Sequence, residues 1–594
     1  MENKNKYLII TFIFVALVII SGTFAWLSYR SNKTALVLTV GSIDGMSVTL
    51  KPYQITASLT PTNDYTTEEY INVTANNKKT TAEIFNLYYE IDTIDTELID
   101  DGFKYTIVKS TDNWSTQTEV KTGDFSSAVT GQNLNIYTET VPGGNTTYQY
   151  KVYLWIDSTD GSQANMQGKT FTGELRAEIE EIATPNPPVL DAGMIPVKIS
   201  DTGVVTAVSE DDDTWYNYNN KQWANAVLVK EEGVKTRSAN KNDLTTINPS
   251  DILAYYVWIP RYSYKVWQYE GVADTVQEQE IDIKFVKSSV KEVATKVGEY
   301  YTHPAFTFGS QELDGIWVGK FEMSHDTLTT STTNNNLGCT TTTCTKASGL
   351  RILPTVSSLR YNNVSNMYYA TRSMEQSNNV FGITNSDSHM MKNSEWGAVA
   401  YLSHSNYGIN TEIRINNYRQ SSKPYLTSTG CGADVTNANT STTVTTCAIP
   451  YGAPSNETYA YPQSTTGNIS GIFDMSGGAS EYVMGNFNET IGSSGFSTMP
   501  DSKYYDNYSS SVFTGNYSTN MTFCTLATCG GHALNETRVW YSDSAPFVDS
   551  SGPWFSRGGL ASSSTYAGAF NSISHGGNAV SYSSWRGVLV ASGS

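Results

Sequence analysis

The run Tyr148-Gln149-Tyr150-Lys151-Val152-Tyr153-Leu154-Trp155-Ile156-Asp157 alternates two sets of side chains. Tyr148, Tyr150, Val152, Leu154 and Ile156 fall on one face, and Gln149, Lys151, Tyr153, Trp155 and Asp157 on the other. A period of two is that of a strand with one face buried. Downstream, Phe171, Leu175, Ala177 and Ile179 alternate with Thr172, Glu174, Arg176 and Glu178 in the same way. Turn-forming clusters, Pro142-Gly143-Gly144-Asn145 and Asp160-Gly161-Ser162, separate the runs. Strand follows strand from Ala35 to about Ile182 with no helical period. This predicts an all-β sandwich of about 150 residues over positions 31–183.

The whole chain has 594 residues, room for about three to five domains. Hydrophobic residues make up 39% and charged residues only 16%, so its polarity rests on Thr, Ser, Asn and Tyr rather than on charge. Aromatics at 12% argue against a disordered chain. The net charge of −19 argues against a grip on a phosphate backbone, and nucleic acid is excluded as a partner.

Tyr7 to Tyr29 carry no charge and are rich in Leu, Ile, Val and Phe, with Lys4 and Lys6 before them. That length suffices to cross a bilayer, and the basic flank places everything after Arg30 outside the cytoplasm. Thr23-Phe24-Ala25 is a small-x-small cleavage context. Residues 1–30 are therefore a signal peptide or a membrane anchor, and the rest is extracellular or displayed at the cell surface. The six cysteines, Cys339/Cys344, Cys431/Cys447 and Cys524/Cys529, fall as three close pairs. In an exported chain they read as disulfides closing short loops; the competing reading is a thiolate metal site.

Gly22-Thr23-Phe24-Ala25-Trp26-Leu27-Ser28, followed by Leu36-Val37-Leu38-Thr39-Val40-Gly41, resembles the export-and-start region of the TasA/camelysin family of bacterial matrix proteins. The resemblance implies a jelly-roll-like sandwich and self-association into fibres. Thr184-Pro185-Asn186-Pro187-Pro188 reads as a stiff linker, and positions 184–254 as linker plus a small β connector. Its acidic turn Glu210-Asp211-Asp212-Asp213 lacks the spaced ligands and glycine of a calcium loop, so a solvated turn is favoured over bound Ca²⁺. No other cofactor is expected.

Positions 255–594 resemble the formylglycine-generating-enzyme, or sulfatase-modifying-factor, family, an α+β variant of the C-type-lectin fold. The resemblance rests on Gly315-Ile316-Trp317-Val318-Gly319-Lys320-Phe321-Glu322, Glu395-Trp396-Gly397-Ala398-Val399-Ala400-Tyr401, Gly471-Ile472-Phe473-Asp474-Met475-Ser476-Gly477-Gly478-Ala479-Ser480-Glu481-Tyr482-Val483, Arg557-Gly558-Gly559, and the closing Ser584-Trp585-Arg586-Gly587. Trp396, Val399 and Ala400 would share one helical face. The family's oxidases carry a copper-binding cysteine pair between the last two motifs, and no cysteine lies between Gly559 and Trp585. The chain is therefore not expected to be an enzyme. Gly478 and Ser480 replace the family's Asn and Trp, which weighs against a family-type calcium site. Glu322, Asp474 and Glu481 read as carboxylates bound to turn backbone and buried arginine rather than as a catalytic pair.

Between those motifs the chain is built of Ser, Tyr, Asn, Gly and His around the apolar stretch Ala567-Gly568-Ala569-Phe570. Such a composition suits a binding loop: Tyr gives contact area at low entropic cost, and Ser and Asn adapt their hydrogen bonds. The candidate ligand-binding residues are Trp554, then Ser562, Ser563, Ser564, Thr565 and Tyr566, then Asn571, Ser574, His575 and Asn578, and finally Ser581, Tyr582 and Ser583. In retroelement-diversified C-type-lectin-like proteins this last segment is the variable one, and an ordinary surface loop is the competing reading. The sequence thus predicts a surface-displayed binding protein for an extracellular protein or glycan. A matrix-fibre protein, and a formylglycine-generating-type enzyme, are the alternatives.

Overall fold

The computed structural model describes residues 27–29, 46–50 and 58–591, apart from 79–81, 160, 162, 182–183, 231–244, 269–277, 329–333, 341–342, 417–427, 433–450, 453–462, 509–524, 539 and 561–566. The chain is mostly β-sheet with few helices and divides into two compact units, residues 1–182 and 183–594.

The first unit holds two sheets. One runs in the order Ser58–Leu59, Leu27–Tyr29, Thr170–Glu181, Glu83–Ile94, Asn133–Val141. The other runs Met46–Leu50, Tyr70–Asn77, Thr146–Asp157, Phe103–Ser110, Thr118–Asp124. Phe85, Leu87, Tyr89 and Ile91 from the first share one core with Val73, Tyr150, Val152 and Ile107 from the second. The Phe85 and Tyr150 rings stack at 4.9 Å. The alternation in Thr146–Asp157 fades toward its end, where Tyr153, Trp155 and Asp157 are buried as well. Tyr65 covers that outer face, 5.2 Å from Tyr153 and 6.0 Å from Trp155, so aromatic packing overrides the simple in-out pattern.

Leu27–Tyr29 is a strand, with Ser28 beside Thr170 and opposite Ser58. Three residues expected in the N-terminal hydrophobic segment thus belong to the sandwich. Residues 1–26, on which the signal-or-anchor expectation rests, lie outside the described residues. Among the described residues no helix is long and apolar enough to cross a membrane.

In the second unit an eight-stranded sheet runs Thr245–Thr246, Val205–Ala207, Met194–Ile199, Asn225–Val229, Ile252–Pro260, Gly315–Gly319, Gly587–Ala591, Ser386–Met390. This corrects the expectation of a separate connector at 184–254. Its strands form half of the sheet, because Ile252–Pro260 is buried throughout and needs a paired neighbour on each edge. The Pro-rich stretch is tied down too. The Asn186 amide donates to the carbonyls of Val286 (2.8 Å) and Asp314 (3.0 Å), and Trp258 Nε1 donates to Asn186 O (3.0 Å). The acidic turn spends its Asp212 carboxylate locally, accepting from Thr214 N at 2.8 Å and pairing with Lys198 at 3.3 Å.

A second sheet joins Asp506–Tyr508, Ser480–Phe487, Trp554–Arg557 and Ser572–His575, with Ser583–Trp585 running parallel to Ser480–Phe487. Among the described residues the unit's longer helices are Val364–Arg372 and Asn393–Ser403, with a single turn at Leu526–Cys529. Trp396, Val399 and Ala400, three and four apart in Asn393–Ser403, share one of its faces as expected, but every residue of that helix is buried. A helix buried all round lies inside a core rather than on its surface.

Candidate functional site

The candidate region is the hairpin between Trp554–Arg557 and Ser572–His575, together with the return strand. Trp554 pairs with His575 and Arg557 with Ser572. The chain leaves Arg557 through Gly558 and Gly559, whose φ values of +79° and +69° a side chain rarely adopts. A Cβ on Gly559 would lie 2.8 Å from Ala567 Cα.

A chain of hydrogen bonds crosses this region. Tyr482 OH donates to Asn578 O at 2.9 Å and lies 2.5 Å from His575 Nδ1. His575 Nε2 lies 3.2 Å from Tyr582 OH. With the Tyr482 proton given to Asn578, Nδ1 carries the ring proton and Nε2 accepts from Tyr582. Burial pushes His575 below the ordinary histidine value, which keeps the ring neutral in this arrangement. Ser574, His575, Ser581 and Tyr582 are half-buried and Asn578 is exposed, so all five are accessible to solvent.

Three other expected residues do not face solvent. Trp554 is fully buried, stacks on Phe496 at 5.7 Å and donates to Ile491 O at 2.9 Å. Asn571 and Ser583 are buried too. Trp554 and Ser583 lie on paired strands buried at every position, and Asn571 precedes the strand Ser572–His575 at its buried end. Ser562, Ser563, Ser564, Thr565 and Tyr566 lie outside the described residues. The apolar stretch points inward: Phe570 packs 5.0 Å from the Trp540 ring, and Trp396 Nε1 donates to Ala569 O at 2.7 Å. Tyr482 was missed because its signal is a contact across 93 positions.

Beneath the region lies an acidic cluster. Glu481 pairs with Arg586 through two contacts of 2.5 and 3.2 Å. Asp474 accepts from Gly430 N at 2.8 Å and Asn416 Nδ2 at 3.0 Å. Glu322 accepts from Ala479 N at 2.8 Å. Burial, then the negative charges of Asp474 and Glu481, push the Glu322 carboxyl well above its ordinary value. Burial raises Asp474 as well, and raises Glu481 to about 7 against the opposing pull of Arg586. These groups hold backbone and one guanidinium, as the structural reading of the motif expects.

Cys339 and Cys344 form a disulfide, so that pair supplies no thiolates to a metal. Cys431 and Cys529 are disulfide-bonded too, while Cys447 and Cys524 lie outside the described residues. Among the described residues no group of three or more His, Cys, Asp or Glu side chains is placed to hold a metal ion.

No family model and no curated protein matches this chain. Among solved structures, the xylan-binding module CBM15 is 12% identical over 25% of this chain and 97% of its own, with a TM-score of 0.14. A mutant Xylanase10C from Cellvibrio japonicus in complex with xylopentaose is 14% identical over 27% of this chain and 31% of its own, also at 0.14. At that TM-score neither likeness supports a statement about fold or ligand.

Proposed function

We propose that this is an exported, surface-displayed binding protein without catalysis, and that Ser574, His575, Asn578, Ser581 and Tyr582 receive an extracellular protein or glycan. The supporting observation is the Tyr482–His575–Tyr582 chain. Both ring nitrogens of His575 are engaged, so the aromatic groups are held in place before a ligand arrives. Hydroxyl and amide groups beside them supply adaptable hydrogen bonds. In this reading residues 255–594 are a C-type-lectin-like head of the formylglycine-generating type. The absence of cysteine between Gly559 and Trp585 favours a binding role over the family's oxidase chemistry.

Two measurements test it. Full-length protein is applied to an oligosaccharide array and to an array of secreted proteins, beside the His575→Ala/Tyr582→Ala variant. The variant should lose the wild-type signals while its thermal midpoint stays nearly unchanged. A variant that binds as wild type does, or that unfolds, overturns the site. Sequencing codons 560–584 across a cell population tests the finer reading. Substitutions clustered at adenines indicate a diversified receptor, and a uniform sequence indicates fixed specificity.

A further inference from the structure

A cleft of about 670 Å³ lies at one end of the eight-stranded sheet, within the 300–1,000 Å³ range of small-molecule sites. Leu253 and Phe381, both buried, give it an apolar floor, and Lys230, Arg351 and Ser348 line it with polar groups. Among the described residues none that lines it is acidic, in a chain of net charge −19.

Its walls are held from behind. The Asp191 carboxylate accepts from Gly193 N (3.1 Å), Thr384 N (3.1 Å), Asn385 N (2.7 Å) and Ser386 Oγ (2.9 Å). Asn379 Oδ1 accepts from Phe381 N at 3.0 Å and Ile383 N at 3.2 Å. Gly193 and Gly382 touch so closely that a Cβ on Gly193 would lie 2.3 Å from Gly382 O. Asp191 and Asn379 are thus spent on backbone, which leaves the cations to meet a ligand. Arg351 is paired with Asp326 at 2.8 Å, whereas the Lys230 ammonium donates to Ser250 O at 2.6 Å and has further hydrogens to give.

We propose that this cleft binds a small monocarboxylate carried on a ring with an apolar face, the carboxylate on Lys230 and the ring over Phe381 and Leu253. Calorimetric titration of the full chain with glucuronate, phenylacetate and neutral glucose tests this. At least one acid should bind about tenfold more tightly than glucose, and Lys230→Gln should remove that preference. Binding of glucuronate alone marks a sugar acid as the source, and of phenylacetate alone an aryl acid. Ser348→Trp, at an exposed position, should block both without lowering the thermal midpoint. The inference falls if neither acid binds at millimolar concentration, if glucose binds equally, or if both variants bind as wild type does. His575→Ala/Tyr582→Ala should leave this binding intact, so its failure is separate from that of the surface site.

Discussion

Arg586 is fully buried, and its guanidinium serves both oxygens of Glu481 and the carbonyls of Gly319 (2.7 Å) and Phe473 (2.9 Å). Removing one partner of a buried pair leaves the other charged in a poor solvent, which costs about 3–5 kcal/mol. Arg586→Ala should therefore lower unfolding stability by about that amount in urea titrations. Arg586→Met with Glu481→Leu should recover only part of the loss, because no lone charge then remains but the Gly319 and Phe473 carbonyls still lack their donor. A fully stable Arg586→Ala would show that the pair contributes nothing. At this scale the sequence was partly legible. Asp474 and Glu481 stand in one motif, so a shared turn could be read from their spacing. Which of the three carboxylates takes the arginine depends on residues more than a hundred positions apart, and no local pattern encodes that. Trp554 shows the reverse failure. A tryptophan beside a polar hairpin reads as an exposed anchor, yet its strand is buried at all four positions and leaves no alternation to detect.

The helix Asn393–Ser403 gives the sharpest contrast between local preference and packing. Gly397 lies in its middle, where glycine ordinarily costs about 1 kcal/mol relative to alanine. A Cβ there would lie 1.9 Å from Gly531 O, so the helix approaches the Gly530–His532 turn at a distance only glycine permits. Gly397→Ala should therefore destabilise the protein by roughly 1–3 kcal/mol, the usual cost of overpacking, where an exposed helix would be stabilised. A raised thermal midpoint for this variant would disprove the close approach. The helix itself was legible through the family resemblance, with Trp396, Val399 and Ala400 at a spacing that agrees with it. Its complete enclosure was not, because the covering Gly530–His532 turn comes from a distant segment. The segment 184–254 shows the opposite case: its β character was expected, but short strands carry no mark of the sheet they join.

All six histidines fall in the second unit, and five sit below their ordinary value of 6.5 through burial, His303 at about 3. A depressed histidine contributes stability above 6.5, lost as pH falls through its folded value. In the same unit, burial raises Glu322, Asp474, Asp543, Glu481 and Glu536, the last two to about 7. Carboxyls raised in the folded state stabilise fully below about 4, and that contribution is lost as pH rises through the folded values. Burial lowers His389, but Glu395 and Asp387 outweigh it and raise it to about 9, so its contribution is present below 6.5 and lost as pH rises through 9. The two sets oppose each other between roughly pH 4.5 and 6.5 and act alone outside that window. The second unit should therefore show a plateau there, an acid arm driven by histidines and an alkaline arm driven by carboxyls and His389. The sandwich contains no histidine, and its Asp157, lowered to about 2, titrates far below the window. Because the two units have separate cores, scanning calorimetry should resolve two transitions. Apart from the loss as Glu68, which burial raises, gives up its proton, one should stay constant to pH 8, and the other should fall above pH 7 as His389 loses its proton. His389→Gln removes the group raised to about 9 and should flatten that alkaline fall without moving the first transition. If both transitions move together, the units unfold as one, and the division at residues 182–183 has no thermodynamic meaning.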